Sequence, residues 1–212
     1  MPARYRADES RLMTPADATE LLNAARRDPA ALGRLLDEYR HYLRLLARIE
    51  IGRKLQGKVD ASDVVQEAFI HAHHYFPNFR GESEAQLTAW LREILAGTLA
   101  NQVRRYFGTK ARDPRLEVGL MADMDQSTAG LGAIPVDPQT SPSQQVARGE
   151  QSLLVASAIG QLPDDYQTVI VLRHMEGLTF PQVAERMGKS VDSVEKLWIR
   201  ALAQLRKRIA SV

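Results

Sequence analysis

Apolar residues recur at helical spacing along most of this chain, and the breaks in that rhythm divide it into short amphipathic helices. Thr14-Pro15 followed by Asp17 joins a capping hydroxyl, a proline tolerated in a first turn and an early negative charge. It predicts a first helix with Leu21, Leu22 and Ala25 on a weak apolar face. Asp28-Pro29 breaks that helix. Leu32, Leu35, Leu36, Tyr39, Leu43, Leu46 and Ala47 then predict one longer helix from Ala30 to about Ile51, ended by Gly52 and Gly57 around the basic pair Arg53-Lys54. Asp60-Ala61-Ser62-Asp63 caps a third helix, with Val64, Val65, Ala68, Phe69, Ala72 and Phe76 inward and Asp60, Asp63, Gln66 and Glu67 outward; Pro77 stops it. After the loop from Asn78 to Glu82, Ser83 and Gln86 form a capping box for a fourth helix running to about Phe107. Leu87, Trp90, Leu91, Ile94, Leu95, Thr98 and Val103 line its inner side.

From Gly108 to about Thr140 the rhythm is lost among Gly, Pro, Asp, Ser and Met, which predicts a flexible acidic linker. A helix from about Ser143 to Ile159 leads into the C-terminal part. There Pro163 opens a helix that Gly177 closes. Thr179 and Gln182 box the start of the next, whose buried face is Val183, Ala184 and Met187. Gly188 ends it, and Ser190 caps a last helix only two residues later, a connection tight enough to make a helix-turn-helix. Winding that helix at ~3.6 residues per turn puts Val194, Leu197, Trp198, Ala201 and Leu205 on one side and Asp192, Lys196, Ile199 and Ala203 on the other. Outward residues near its start are placed to reach base edges. Lys189, Arg200, Arg206, Lys207 and Arg208 are placed to meet phosphates.

Charge refines this picture more than composition does. The net charge is only +2, but residues 1–112 carry 18 basic and 14 acidic side chains, 113–150 carry 2 and 6, and 151–212 carry 8 and 6. An acidic connector thus joins two mildly basic ends. At 212 residues the chain can hold two small domains, and the pattern divides it into 14–107, a linker over 108–142, and 143–212. The absence of cysteine excludes disulfide and thiolate chemistry and fits a reducing compartment. No apolar run reaches the length of a membrane span or signal-peptide core, so the expected location is the cytoplasm.

The segments DASDVVQEAFIHAHHYFPNFRGESEAQLTAWLREI (60–94) and LPDDYQTVIVLRHMEGLTFPQVAERMGKSVDSVEKLWIRALAQL (162–205), in this order across a weak linker, resemble the extracytoplasmic-function group of bacterial RNA polymerase sigma factors, of the sigma-70 family. The resemblance implies an all-α subunit of two helical domains joined by a flexible linker. The first would bind core RNA polymerase and open the downstream promoter element; the second would read the upstream element. It places polymerase binding on Asp60, Asp63, Gln66 and Glu67. It places capture of the opened strand on Phe79, Arg80, Gly81, Glu82, Ser83, Trp90, Arg104 and Arg105, and upstream reading on Lys189, Asp192, Ser193, Glu195, Lys196 and Arg200. Cationic grooves with aromatic faces suit single strands chemically. Core polymerase and promoter DNA are the implied partners, an anti-sigma factor a further one, and no cofactor is implied.

Enzymatic readings find little in the sequence. His71, His73 and His74 lack cysteines or acidic partners at a metal-ligand spacing, and neither a nucleophile motif nor a glycine-rich phosphate loop occurs. Two non-catalytic alternatives stand beside the sigma-factor reading. One is a stand-alone helix-turn-helix regulator using 14–107 to dimerise or sense; the other is a scaffold that binds polymerase without starting RNA synthesis.

Overall fold

The computed structural model describes residues 15–54, 59–107, 115–132, 134 and 148–210, and among these every regular element is helical. α1 (Pro15–Ala25) and α2 (Pro29–Glu38) form a hairpin, with Asp28 accepting the Ala30 N–H at 2.9 Å to cap α2. α3 (Arg40–Lys54), α4 (Ala61–Tyr75) and α5 (Glu84–Phe107) complete the N-terminal group, and a single 3-10 turn (Phe76–Asn78) leads out of α4. Thr14 and Gly57, expected to cap α1 and end α3, lie outside the described residues.

The long helix expected from Ala30 is two helices. Tyr39 breaks it with φ −87° and ψ −3°, its N–H bonding back to Leu36 at 3.1 Å in a tightened turn. Its ring is fully buried there, and burial pushes the phenol well above its ordinary pKa. The break redirects α3 so that Tyr42, Leu43, Leu45, Leu46 and Ile49 are all enclosed. The helix also continues through Gly52 to Lys54 rather than stopping at the glycine.

A second correction concerns the connector. The segment expected to be a structureless linker contains an 18-residue helix, α6 (Arg115–Gly132). Leu116, Leu120, Met124, Ser127 and Leu131 recur at intervals of four and three, and Leu120, Met124, Ser127 and Leu131 are buried. α6 packs against α5, α3 and α7 (Arg148–Gly160).

The C-terminal group follows: α8 (Asp164–Ile170) runs into a π turn (Val171–Met175), then come α9 (Phe180–Met187) and α10 (Val191–Ile209). Thr179 and Gln182 close their capping box, the Thr179 N–H donating to Gln182 Oε1 at 2.8 Å. Gly188 takes φ 62°, the left-handed conformation that releases the chain from α9 into α10. One apolar cluster extends from Leu22 to Leu205 and draws on both groups. They meet where α3 crosses α7: a Cβ added to Gly160 would lie 2.7 Å from His41 Cβ and 3.1 Å from its carbonyl oxygen. Beside that crossing Arg48 donates to Gln167 Oε1 at 3.1 Å and to the Thr168 hydroxyl, while the buried Gln167 amide donates to the Gly160 and Leu162 carbonyls at 3.0 and 2.8 Å.

Candidate nucleic-acid and partner interfaces

The outward face of α4 is built from the residues expected there, with one exception. Asp60 is the N-cap, accepting the Ser62 N–H at 2.6 Å, and that bond holds its carboxyl below the usual carboxylate range. Asp63 and Gln66 are exposed. Glu67 is not part of the free face: it is half-buried and accepts the Gln102 side-chain amide at 2.6 Å, which ties α4 to α5. What completes the face is Ile70, 64% exposed and seven residues after Asp63, so two turns along the same side. The spacing alone could have revealed it. His71 faces Thr98 at 3.3 Å, and His74 meets the edge of Tyr75 with ring centroids 5.0 Å apart. No cluster of three or more His, Cys, Asp or Glu suited to a metal occurs among the described residues.

The loop between α4 and α5 is held in one shape by several local devices. Gln86 Oε1 accepts the Glu82 and Ser83 N–H groups at 2.7 and 3.2 Å, and Ser83 Oγ accepts the Gln86 N–H at 3.3 Å, so the capping box is complete. Arg80 donates to the Pro77 carbonyl at 2.7 Å, and Arg26, in the turn after α1, reaches the Gly81 carbonyl. Phe79 folds back over Gly81 onto Trp90, with ring centroids 4.8 Å apart and planes 33° apart, and Phe76 adjoins both rings. A Cβ on Gly81 would sit 2.3 Å from Phe79 Cζ, so the glycine is what makes room for the ring. Phe79 and Trp90 remain half-buried, leaving part of an aromatic platform open.

Arg105 is exposed, but Arg104 is engaged: it donates to Asn101 at 2.8 Å and pairs with Glu117 of α6 at 3.2 Å. Arg92 donates to the Tyr42 hydroxyl at 3.4 Å and pairs with Asp125 of α6 at 3.3 Å. Tyr42 in turn lies 3.1 Å from the Thr128 hydroxyl. Arg92 and its acidic partner Asp125 cannot be found from the sequence when the connector is read as unstructured.

On α10, Ser190 caps the helix, accepting the Ser193 N–H at 3.2 Å. Asp192, Ser193, Glu195, Lys196, Ile199 and Arg200 are exposed together, while Val194, Ala201, Leu202 and Leu205 are buried. Lys196 spans back to Asp192 at 2.8 Å and Lys189 to Asp165 at 3.2 Å. Trp198, expected within the core, is only half-buried. It lies at the edge of the bundle, stacked on His174 and edge-on to Phe180. Val194, Ala201 and Leu205 of the expected stripe are enclosed, and Leu202, which winding leaves off that stripe, is buried beside them.

Comparison with known proteins meets this geometry on both halves. Residues 38–106 match the family described as Sigma-70 region 2, and residues 152–205 the one described as Sigma-70, region 4. The ECF RNA polymerase sigma-E factor of Haemophilus influenzae is 33% identical over 150 residues, covering 71% of this chain and 75% of its own. The RNA polymerase sigma-H factor of Pseudomonas aeruginosa is 30% identical over 200 residues, 93% and 96% of the two chains. The sigma-E factor of Escherichia coli is 31% identical over 143 residues, 67% and 70%. With both conserved regions in order and a relative matched over nearly its whole length, the chain belongs to the extracytoplasmic-function subfamily of sigma-70 RNA polymerase sigma factors.

Proposed function

We propose that this sigma factor, which directs promoter-specific transcription, divides the work between residues 14–107 and 143–212 across the 108–142 connector. Core polymerase docks on the α4 face of Asp63, Gln66 and Ile70, where an exposed carboxylate and amide lie along the helix from an exposed apolar side chain. An unpaired base of the downstream element stacks on the Phe79–Trp90 platform while Arg105 and Arg104 hold its backbone. α10 enters the major groove of the upstream element, with Lys196 at base edges and Lys189 and Arg200 at phosphates. Bond formation in RNA belongs to the polymerase, and the workplace is the cytoplasm; among the described residues no helix is long and apolar enough to cross a membrane.

The observation that carries this reading is the platform. A loop fixed by a capping box, a glycine and two arginine–carbonyl bonds presents an aromatic pair that the core does not fully enclose. Transcription by purified core polymerase on a promoter library tests it: addition of the chain should start RNA synthesis at a defined subset of promoters. A chain that footprints duplex DNA alone and starts no transcript would instead be a stand-alone helix-turn-helix regulator. One that binds polymerase but starts nothing would be a scaffold.

A further inference from the structure

The connector helix carries an acidic edge that meets the cationic side of α5. Glu117 pairs with Arg104 and Asp125 with Arg92, and since the order of the pairs is reversed between the two helices, α6 runs antiparallel along α5. The arginines are the more enclosed partners: the Arg104 and Arg92 side chains are 30% and 19% exposed, Glu117 and Asp125 49% and 57%. The carboxylates thus occupy guanidinium groups that a nucleic-acid phosphate would otherwise approach. The seat beneath is apolar, with Leu120, Met124 and Leu131 buried, and the Tyr42–Thr128 contact adds a third polar link. α6 also rests on α7, which packs against α3 at the Gly160–His41 crossing.

We propose that α6 is an internal clasp. In the free chain its carboxylates stand in for the phosphates of single-stranded DNA at Arg104 and Arg92, and strand capture requires that α6 be displaced. The inference rests on the assignment of Arg104 to the strand site. It follows from charge and position: the exposed carboxylates can give way to phosphates at the more enclosed guanidinium groups, whereas the apolar seat sets how often α6 leaves. A chain whose competent form is only fractionally populated binds DNA more weakly by that fraction.

The test uses the full-length chain without polymerase and a fluorescent single-stranded oligonucleotide at low salt. Glu117→Gln with Asp125→Asn should tighten binding about fivefold, because two ion pairs are lost from the closed form. Glu20→Gln with Glu185→Gln changes the net charge equally at exposed sites away from α6, and should move affinity less than about twofold. Met124→Lys, which unseats α6 through its core face, should tighten binding as well, with unchanged helicity by circular dichroism. Equal affinity of the clasp variant and the charge control would overturn the clasp. Adding Arg104→Ala to the clasp variant separates the two readings. If the gain disappears, the strand site stands and the clasp acts through it; if the gain persists, Arg104 is not a strand contact and both assignments fall.

Discussion

Trp198 donates its indole N–H to Nε2 of His174 at 3.2 Å, and the two rings stack with centroids 6.0 Å apart and planes 22° apart. To accept that bond the imidazole must be neutral at Nε2. Burial, and then the neighbouring Arg173, lowers the His174 pKa below its ordinary value near 6.5. His41, at the α3–α7 crossing, is lowered in the same direction by burial, then by Arg44 and Arg40. A histidine whose folded pKa is depressed contributes stability that is fully present above its unfolded pKa and is lost as pH falls toward the folded value. Thermal stability should therefore decline as pH drops below about 6.5. His174→Gln, which can still accept the indole proton but does not titrate, should flatten that decline. Because Trp90 is the only other tryptophan, a Trp90→Phe background isolates the Trp198 emission, which should shift over the same interval. A pH-independent melting temperature in the parent chain would contradict the argument.

The half-buried setting of Trp198 also fixes the scale of its substitutions. Trp198→Phe keeps the contact with Phe180 and loses one hydrogen bond, a change of about 1 kcal/mol. Leu202→Ala, at a buried position, should cost about 2–5 kcal/mol. Chemical denaturation of the two variants checks the order; a larger loss for Trp198→Phe would mean that the indole is the anchor of the bundle after all.

Gly81→Ala tests the aromatic platform without touching an aromatic ring. The new methyl would collide with Phe79 Cζ, so the ring must leave Trp90. Transcription from duplex templates should drop more than transcription from templates already melted around the start site, while the melting temperature changes little. Equal loss on both templates would assign the loop to folding or to duplex binding.

The capping boxes at Ser83–Gln86 and Thr179–Gln182 and the Val194, Ala201 and Leu205 positions of α10 are local in sequence, and they form as their chemistry requires. The break at Tyr39 carries no glycine or proline; it arises because a large ring must be enclosed between helices that meet only in the folded chain. α6 was hidden by its own composition: Gly119, Gly130 and several small polar residues dilute a stripe of Leu120, Met124 and Leu131 that is regular once those residues are set aside. Helical winding puts Glu67 on the outward face of α4, but Gln102, 35 residues away, decides where it points. Long-range pairs of this kind leave no periodic trace.

Because Glu67 is tied to α5, the polymerase face is better probed at Asp63 and Ile70. Asp63→Arg with Ile70→Glu reverses one charge and removes the apolar side chain at two exposed positions, so the fold should persist with a melting temperature within a few degrees of the parent. Retention of the chain by immobilised core polymerase should fall at least tenfold, about 1.4 kcal/mol or more. Undiminished retention would place the docking face elsewhere.

The last prediction separates reading from holding on α10. Lys196 is 63% exposed and its tie to Asp192 spans one helical turn in solvent, worth only about 0.2–0.5 kcal/mol, so a base-edge acceptor in the major groove can displace it at little cost. Arg200 lies one turn further along the same exposed side, where a helix leaving the groove passes the backbone. A base contact carries discrimination of about 1–3 kcal/mol at one or two positions, whereas a phosphate contact weakens all sequences alike and lowers the salt slope by roughly one unit. Lys196→Ala should therefore relax preference within the upstream element with little change in salt dependence, and Arg200→Ala should do the reverse. Selection of bound promoters from a randomised upstream element, read with holoenzyme at two salt concentrations, distinguishes them. If Lys196→Ala leaves the selected sequence unchanged, the reading passes to its exposed neighbours Ser193 and Ile199, the latter suited to a thymine methyl rather than to a hydrogen-bonding edge.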